Sequence, residues 1–347
     1  MNSFKLLHLP WLAFQEIIKT MDFIPLFNLS LVSNRMFLNI KLAKRKILPI
    51  KLLLAENNYM IKISDEKEIE WKKTVFKLNI YMKEYVCVEE KEKYKLKSVK
   101  FGGLKIEIAN HTSALSYPGF IGVSNNKFFN FFRRLHDLFV CPGTCLMIEK
   151  VLLHEKFLAN LVGLNILSVG TSRDESLIWS EQELSILLDY TKPTFELLLR
   201  SPLTSDFNDK SVLNFHRIRI CHAKWLKIED LMTANGSIIV LDYHNFKEND
   251  LKQYIQHWLA GNNQTLTRFQ CRRFRNRPNC NNILEGVEYS KWDEMRRSRY
   301  HIFNSLDCKS ILDCKEGLDF ERSDGKLASV FQNADWFCFA VWHHRFH

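Results

Sequence analysis

The apolar positions of residues 4–40 recur at helical spacing. From Phe14 to Met21 they fall at i, i+3, i+4 and i+7, which forms one stripe on a first helix. Pro25 suits the first turn of a second helix, and Ser33 suits the N-cap of a third. Three short helices in ~40 residues cannot bury all of these apolar side chains alone. We therefore predict a small helical module that a partner partly covers, with a helical cap on a larger core as the alternative.

Residues 47–118 show the alternation of apolar and polar positions that is typical of β-strands. The clearest runs are Ile47–Leu54, Tyr59–Ile63, Val75–Tyr81 and Leu104–Ile108. A phenylalanine-rich segment, residues 125–139, follows them with helical spacing. The residues that share its apolar face are Phe128, Phe131, Phe132 and Leu135. We predict that this segment is a helix joining the β-rich region to the rest of the chain.

From residue 144 onward, short leucine-rich or β-branched runs begin roughly twenty to thirty residues apart, the period of a βα solenoid of leucine-rich-repeat type. The runs are Cys145–Ile148, Leu164–Val169, Phe195–Leu199, Phe215–Cys221, Ile238–Tyr243 and Leu266–Cys271. Helical patterns lie between them. The clearest is Asn249–Ala260, which Gly261 ends, and Ser180–Glu183 reads as a capping box. Because the repeats are irregular, a single mixed sheet with helices on one face is the alternative.

The sequence thus predicts an α+β or α/β chain in three parts. Residues 1–46 form the helical module, residues 47–140 a β-rich region that ends in the aromatic helix, and residues 141–347 a βα-repeat domain. Asp324-Gly325 predicts a two-residue hairpin turn that closes this domain. Phe337–Trp342 is predicted to be the final strand.

The composition indicates a positively charged protein whose cysteines are in a reducing compartment. The chain has 347 residues, 46% of them hydrophobic, and a net charge of +10, which permits acidic partners without demanding them. Its nine cysteines are odd in number and include no CxxC pair, so we expect free thiols and no metal site. We find no signal peptide and no apolar run long enough to span a membrane. We therefore expect a cytoplasmic or nuclear protein with no membrane partner.

The sequence offers no pattern that points to catalysis. It contains no phosphate loop, no glycine-rich dinucleotide turn and no nucleophile elbow. His257 falls in the middle of a predicted helix beside Trp258, where a packed histidine is far more common than a catalytic base. We therefore expect a protein that is not an enzyme and needs no cofactor.

One basic segment is a candidate binding site. Residues 265–284 contain no acid and five arginines: Arg268, Arg272, Arg273, Arg275 and Arg277. Arginine pairs with carboxylates and phosphates through a planar fork. We hypothesise that this edge recognises an acidic or phosphorylated segment of a target protein. RNA binding through the same arginines is the less favoured alternative, because no RNP-type aromatic pattern or KH loop accompanies them.

The N-terminal residues resemble the F-box motif. The residues in register with it are Leu9-Pro10, Ile17-Ile18, Leu26, Leu29, Val32, Ser33 and Arg35. Two positions depart from the motif: Leu12 stands where many F-boxes carry an acid, and Met36 where many carry tryptophan. The resemblance implies that residues 1–46 dock on a Skp-type adaptor and, through it, on a cullin ubiquitin ligase. The candidate adaptor-binding residues are Leu9, Pro10, Ile17, Ile18, Leu26 and Val32, and spacing does not decide which of them face the module's own core.

Residues 225–266 resemble the F-box-associated domain of type 2 that accompanies nematode F-boxes. The most specific part runs from His257 to Asn262, and Gln264-Thr265 departs from the pattern. Phe320–Val330 resembles the closing hairpin of the same family. The two resemblances together imply a receptor that binds the adaptor through its helices and a target protein through its α/β body. A scaffold that works without the adaptor is the alternative, since Leu12 and Met36 depart from the F-box pattern.

Overall fold

The structure of the chain is a computed structural model. It describes residues 6–47, 50–55, 58–63, 76–82, 96–101, 104–109, 118–123, 125–149, 164–170, 177–274, 277–304, 309–332 and 336–343. The chain divides into two compact units, Met1–His154 and Glu155–His347. Each unit has its own secondary structure and is described separately.

The first unit begins with the three helices that the sequence predicts. A short 3-10 turn, Leu6–His8, precedes α1 (Trp11–Thr20), α2 (Phe23–Ser30) and α3 (Asn34–Leu42). The Ser33 hydroxyl accepts a hydrogen bond from the Met36 backbone N–H over 3.1 Å, as expected of an N-cap. The predicted presence of three helices in this segment is therefore confirmed.

The rest of the first unit is a mixed sheet with one further helix. Its strands are β1 (Ile50–Ala55), β2 (Asn58–Ile63), β3 (Phe76–Met82), β4 (Leu96–Phe101), β5 (Leu104–Ala109), β6 (Pro118–Val123) and β7 (Thr144–Ile148). They lie in the order β7-β1-β2-β3-β6-β5-β4, with β1 parallel to β7 and β3 parallel to β6. The predicted aromatic helix is α4 (Asn125–Leu138). The sequence runs predicted β1, β2, β3 and β5 but missed β4 and β6.

A cluster of phenylalanines packs the helices of this unit against its sheet. The ring of Phe101, in β4, lies 5.4 Å from Phe27, 5.2 Å from Phe37 and 5.1 Å from Phe131, measured between ring centroids. Phe101, Phe37 and Phe131 are buried completely or nearly so. The side chain of Phe128 lies outside the described residues. The aromatic stripe on α4 is therefore core, as the sequence predicts.

The second unit alternates strands with helices. The strands are β8 (Ile166–Val169), β9 (Glu196–Leu199), β10 (Arg217–Ile220), β11 (Ile238–Asp242) and β12 (Arg268–Arg272), and then β13 (Ser290–Lys291), β14 (Tyr300–Asn304), β15 (Lys309–Asp313), β16 (Leu318–Glu321), β17 (Leu327–Gln332) and β18 (Trp336–Trp342). The helices are α5 (Glu181–Thr191), α6 (Ile228–Met232), α7 (Glu248–Leu259) and α8 (Cys280–Ile283), with a 3-10 turn at Lys210–Asn214.

The five strands β8 to β12 are parallel and neighbour one another in chain order. The sequence runs predicted all five. Beyond β12 the sheet continues through β18, β17, β16 and β13, which are antiparallel to their neighbours, and β14 pairs with β15 in a separate hairpin. The second unit is therefore a mixed sheet whose parallel part is built from successive βα steps.

Helix α7 covers one face of this sheet. Its residues Tyr254 and Trp258 are buried, with ring centroids 4.4 Å from Phe269 and 5.2 Å from Phe339. Gly261 follows the helix with φ +94°, a conformation that glycine adopts without strain, and this confirms the predicted stop. The short helix α6 packs beside α7. We call this side of the sheet the helix-covered face.

The closing hairpin has a longer turn than the sequence predicts. The backbone N–H of Gly325 donates to the Arg322 carbonyl, and the Arg322 N–H donates to the Lys326 carbonyl, each over 2.9 Å. Gly325 has φ +84°. Three residues thus separate the last hydrogen-bonded pair, which corrects the prediction of a two-residue turn. The hairpin itself and the final strand are confirmed as β16–β17 and β18.

A buried ion pair fixes the antiparallel part of the sheet. The side chains of Arg297 and Asp319 are fully buried, and three hydrogen bonds of 2.8–2.9 Å join the guanidinium to the carboxylate. The remaining donors of Arg297 reach the carbonyls of Ser298 and Cys314. Ser329 donates to the same carboxylate over 2.6 Å. The loop before β14 is thereby tied to β16 and β17.

Candidate functional site

The N-terminal helices carry apolar side chains on their surface. Leu12 is 75% exposed, Val32 is 72% exposed, and Leu38 and Leu42 are about half exposed. Leu38 and Leu42 lie four residues apart on α3 and so share one face of that helix. Exposed apolar side chains that share a face are candidates for a protein-binding surface. We call Leu12, Val32, Leu38 and Leu42 the exposed apolar residues of the helices.

The structure separates the six candidate adaptor-binding residues into two groups. Ile18 and Leu26 are completely buried and so belong to the module's own core. Val32 and Pro10 are exposed, whereas Leu9 and Ile17 are partly buried. Spacing alone does not make this distinction, because the six residues lie in different segments and their burial depends on how these segments pack together. Of the six, Pro10 and Val32 are the ones whose side chains a partner reaches most easily.

The five candidate arginines do not lie in one exposed row. Arg268 is buried, and its guanidinium donates a hydrogen bond to the Gln270 side chain. Arg272 is partly exposed, and Arg273 and Arg277 are exposed. Arg275 lies outside the described residues. Of the described candidates, Arg268 is therefore the one whose side chain is not accessible at the surface.

Arginines from other strands join Arg268 and Arg272 on the face of the sheet opposite α7. Side chains alternate between faces along a strand, and residues paired across parallel strands share a face. We call this side the open face; its described residues on β8 to β12 and directly after β9 are Ile166, Ser168, Glu196, Leu198, Arg200, Arg217, Arg219, Ile238, Val240, Asp242, Arg268, Gln270 and Arg272. Four of its arginines, Arg200, Arg217, Arg219 and Arg272, are partly exposed, whereas Arg268 is buried. The side chains of Arg219 and Arg272 are 38% and 37% exposed.

Polar contacts run across the open face from strand to strand. Arg219 donates a 2.9 Å hydrogen bond to Asp242 on the next strand, and Arg272 Nε lies 3.8 Å from the other oxygen of that carboxylate. At the other side of this face, on β8 and directly after β9, the Arg200 Nε–H donates a 2.9 Å hydrogen bond to the Ser168 hydroxyl. Asp242 is buried between its two arginines. The carboxylate therefore holds the Arg219 guanidinium by a hydrogen bond and attracts the Arg272 guanidinium by charge alone.

The pKa shifts on this side of the sheet reflect burial and charge. Burial lowers the pKa of Arg219, but the hydrogen bond and the charge of Asp242 outweigh it, so the pKa is raised overall. Burial lowers the pKa of Arg268. His216 precedes Arg217, and burial together with the arginine charge lowers the pKa of its imidazole. The arginines remain charged, because even a lowered guanidinium pKa stays far above neutral pH.

Planar side chains stack at the edge where the parallel strands end. Tyr243 directly follows β11 and Arg273 directly follows β12, and the Arg273 guanidinium lies 4.7 Å from the centre of the Tyr243 ring. The His222 ring stacks on Tyr243 at 5.3 Å and 9°. Tyr243 and Arg273 have φ +45° and +63°, which is costly for residues with a side chain. This strained edge borders the open face.

The described residues contain no metal site and no membrane span. No group of three or more histidine, cysteine, aspartate or glutamate side chains comes together there in a way that fits a metal ion. No helix within those residues is both long and apolar enough to cross a bilayer. The cysteines of the described ranges are free thiols, and all except the partly exposed Cys141 are buried. Cys87 and Cys308 lie outside them.

Comparison with known proteins supports the second of the two resemblances. Residues 206–271 match the family described as F-box associated. Over 341 residues the chain is 26% identical to F59B2.9, an uncharacterized Caenorhabditis elegans protein, covering 94% of this chain and 75% of the relative. Over 138 residues it is 25% identical to F59B2.8, another uncharacterized protein of that organism, covering 39% of this chain and 32% of the relative. No solved structure matches the chain.

The F-box-associated match covers most of the open face. Residues 206–271 include β10, β11 and nearly all of β12, and with them Arg217, Arg219 and Asp242. The predicted arginine segment, residues 265–284, does not include these three residues, because they lie well before it in the chain. The alternation Arg217-Ile218-Arg219-Ile220 is the signal that could have found two of them, since it predicts a strand with one apolar and one basic face.

Proposed function

We propose that the protein is the substrate-recognition subunit of a Skp-cullin-F-box type ubiquitin ligase and has no catalytic activity of its own. The observation that carries this proposal is the F-box-associated match at residues 206–271, in a chain whose helices resemble an F-box. The exposed apolar residues of the helices support it, because an F-box module needs such a surface to bind its adaptor. The receptor would act by proximity, holding a target lysine near the conjugating enzyme.

We further propose that the parallel strands form a βα solenoid of leucine-rich-repeat type. Strands β8 to β12 begin at residues 166, 196, 217, 238 and 268 and neighbour one another in chain order. Intervals of this length are those of leucine-rich repeats. In such a solenoid the strand face opposite the helices is the usual binding surface. The target protein would then be bound through the open face rather than through the helices.

The test is co-expression with a Skp-type adaptor and capture of the adaptor on the tagged receptor. The double variant Val32→Asp, Leu38→Asp, which changes two exposed apolar residues, should lose the adaptor, because charges placed in the apolar centre of an interface are strongly unfavourable. The matched control is Ile186→Asp, Ile311→Asp, which changes two exposed isoleucines of the second unit in the same way. The control should retain the adaptor.

The choice of surface residues keeps folding and binding apart. Ile18→Asp would place a charge in the core of the module and unfold it, so its effect on capture would carry no information about the interface. Both double variants should keep the wild-type thermal unfolding midpoint. If the wild-type protein is folded and captures no adaptor, the adaptor-independent scaffold replaces this proposal.

A further inference from the structure

The open face of the second unit carries more positively charged than negatively charged side chains. Five arginines lie on it, Arg200, Arg217, Arg219, Arg268 and Arg272, against two carboxylates, Glu196 and Asp242. An anionic partner is therefore complementary to this surface.

The arginines are spread over the face rather than directed at one point. In the strand register the partly exposed Arg217 and Arg272 lie two strands apart and four residues apart along the strand direction, so their backbones are separated by roughly 16 Å. Arg217 and Arg219 are separated by about 7 Å along one strand. A single phosphate is bound by donors that converge on it, whereas a row of carboxylates needs donors spaced like these. The geometry favours several separate negative charges.

Apolar side chains lie between the arginines. Leu198 and Ile238 are partly exposed on the same face, and Val240 is 9% exposed. No aromatic residue belongs to the open face as defined above, and single-stranded nucleic acids are bound largely by stacking on aromatic rings. At the bordering edge, the ring of Tyr243 is already contacted by His222 and by Arg273. These features favour a peptide over RNA.

We propose that the open face binds an extended segment of the target protein in which acidic residues alternate with apolar ones. This inference rests on the proposed function and names the class of target segment. The carboxylates of the segment pair with Arg217 and Arg272, while its apolar side chains pack on Leu198 and Ile238. Asp242 fixes Arg219 through a hydrogen bond and attracts Arg272 by charge before the segment binds, which reduces the entropy lost on binding.

The experiment measures fluorescence anisotropy of a labelled peptide of alternating glutamate and leucine, titrated with the full chain. The test variant is Arg217→Gln, Arg272→Gln, which keeps Arg219 as the partner of Asp242. We expect its Kd to rise about tenfold or more, since each lost charge-assisted hydrogen bond weakens binding severalfold. The control is Lys291→Gln, Arg296→Gln, which removes two charges at and beside the far edge strand β13 and should leave the Kd unchanged.

Four results would overturn the proposal. They are absence of binding to the peptide, equal weakening by the control pair, tighter binding of a neutral peptide with a single phosphoserine, and tighter binding of single-stranded RNA. If the double variant has a lowered unfolding midpoint, Arg217→Gln alone is compared with Lys291→Gln. Adaptor capture is measured on the same variants and should be unchanged, so a failure of this proposal is distinguished from a failure of the adaptor interface.

Discussion

At the scale of single residues, two arginine–aspartate pairs of the second unit differ in burial and should differ in their contribution to stability. Arg297 and Asp319 are fully buried, whereas Arg299 and Asp313 are 43% and 46% exposed. Removing one partner of a buried pair leaves an uncompensated charge, which lowers the free energy of unfolding by about 3–5 kcal/mol. An exposed pair contributes less than about 1 kcal/mol.

We therefore expect Arg297→Met to lower the free energy of unfolding by about 3–5 kcal/mol. The matched change Arg299→Met should lower it by less than about 1 kcal/mol. Urea denaturation followed by tryptophan fluorescence measures both. Equal losses in the two variants would show that burial does not govern the strength of these pairs.

His244 should make the protein less stable in mild acid. Burial lowers its pKa to about 4, although the nearby Asp242 charge opposes this shift, while the unfolded value is about 6.5. Its Nδ1 accepts a hydrogen bond from the Phe246 backbone N–H over 3.1 Å, which requires an unprotonated nitrogen. Because the unfolded chain binds the proton more tightly, stability that is present above pH 6.5 falls as the pH drops toward 4.

The expected loss from this histidine is about 1–2 kcal/mol between pH 7 and pH 5. Urea midpoints at the two pH values measure it, and His244→Asn should reduce the dependence. His301, whose pKa burial also lowers to about 4, adds to the effect in the wild-type chain. An identical pH dependence in the wild type and in His244→Asn would contradict the assignment.

Residue-level prediction from the sequence succeeded where the environment is local. The Ser33 cap and the Ser180–Glu183 box follow from neighbouring residues, and both are present. The burial of Arg268 does not, because that side chain lies on the side of β12 away from α7 and is nevertheless only 7% exposed. Burial of a strand residue is set by contacts with distant segments, and a single segment carries no information about them.

At the scale of elements, the capping box of α5 has a measurable effect. The Ser180 hydroxyl accepts from the Glu183 N–H over 3.2 Å, and the Glu183 carboxylate accepts from the Ser180 N–H over 2.9 Å. Ser180→Ala should therefore cost about 1 kcal/mol of unfolding free energy. Ser185→Ala, an exposed position inside the same helix, should cost nothing, since alanine favours helix. Thermal unfolding compares them, and an equal effect would exclude the cap as a source of stability.

The strands that the sequence missed have clear physical reasons. β6 begins with Pro118-Gly119, which are turn residues in isolation, yet proline is tolerated as the first residue of a strand. β4 lacks regular alternation, because Leu96, Val99 and Phe101 are unevenly spaced. Both are strands because β3 and β5 provide partners for them. Pairing across the sheet outweighs local pattern in such segments.

At the scale of the whole molecule, the spacing of the strand runs carried more information than any single motif. It predicted all five strands of the parallel sheet. These strands pair in chain order, and α7 covers one face of the sheet that they form. The arginines of β10 and β12 lie on the other face. Those arginines come from segments some fifty residues apart, and only the register of the sheet brings them together.

The measurement that tests the central claim most directly is hydrogen–deuterium exchange of the full chain with and without a saturating Skp-type adaptor. The proposed function predicts slower exchange in peptides from α1 to α3 on adding the adaptor, with unchanged exchange in β8 to β12. The Val32→Asp, Leu38→Asp variant should show no such slowing. Unchanged exchange in the helices of the wild-type protein, or slowing confined to the second unit, would contradict the assignment of the helices as the adaptor-binding module.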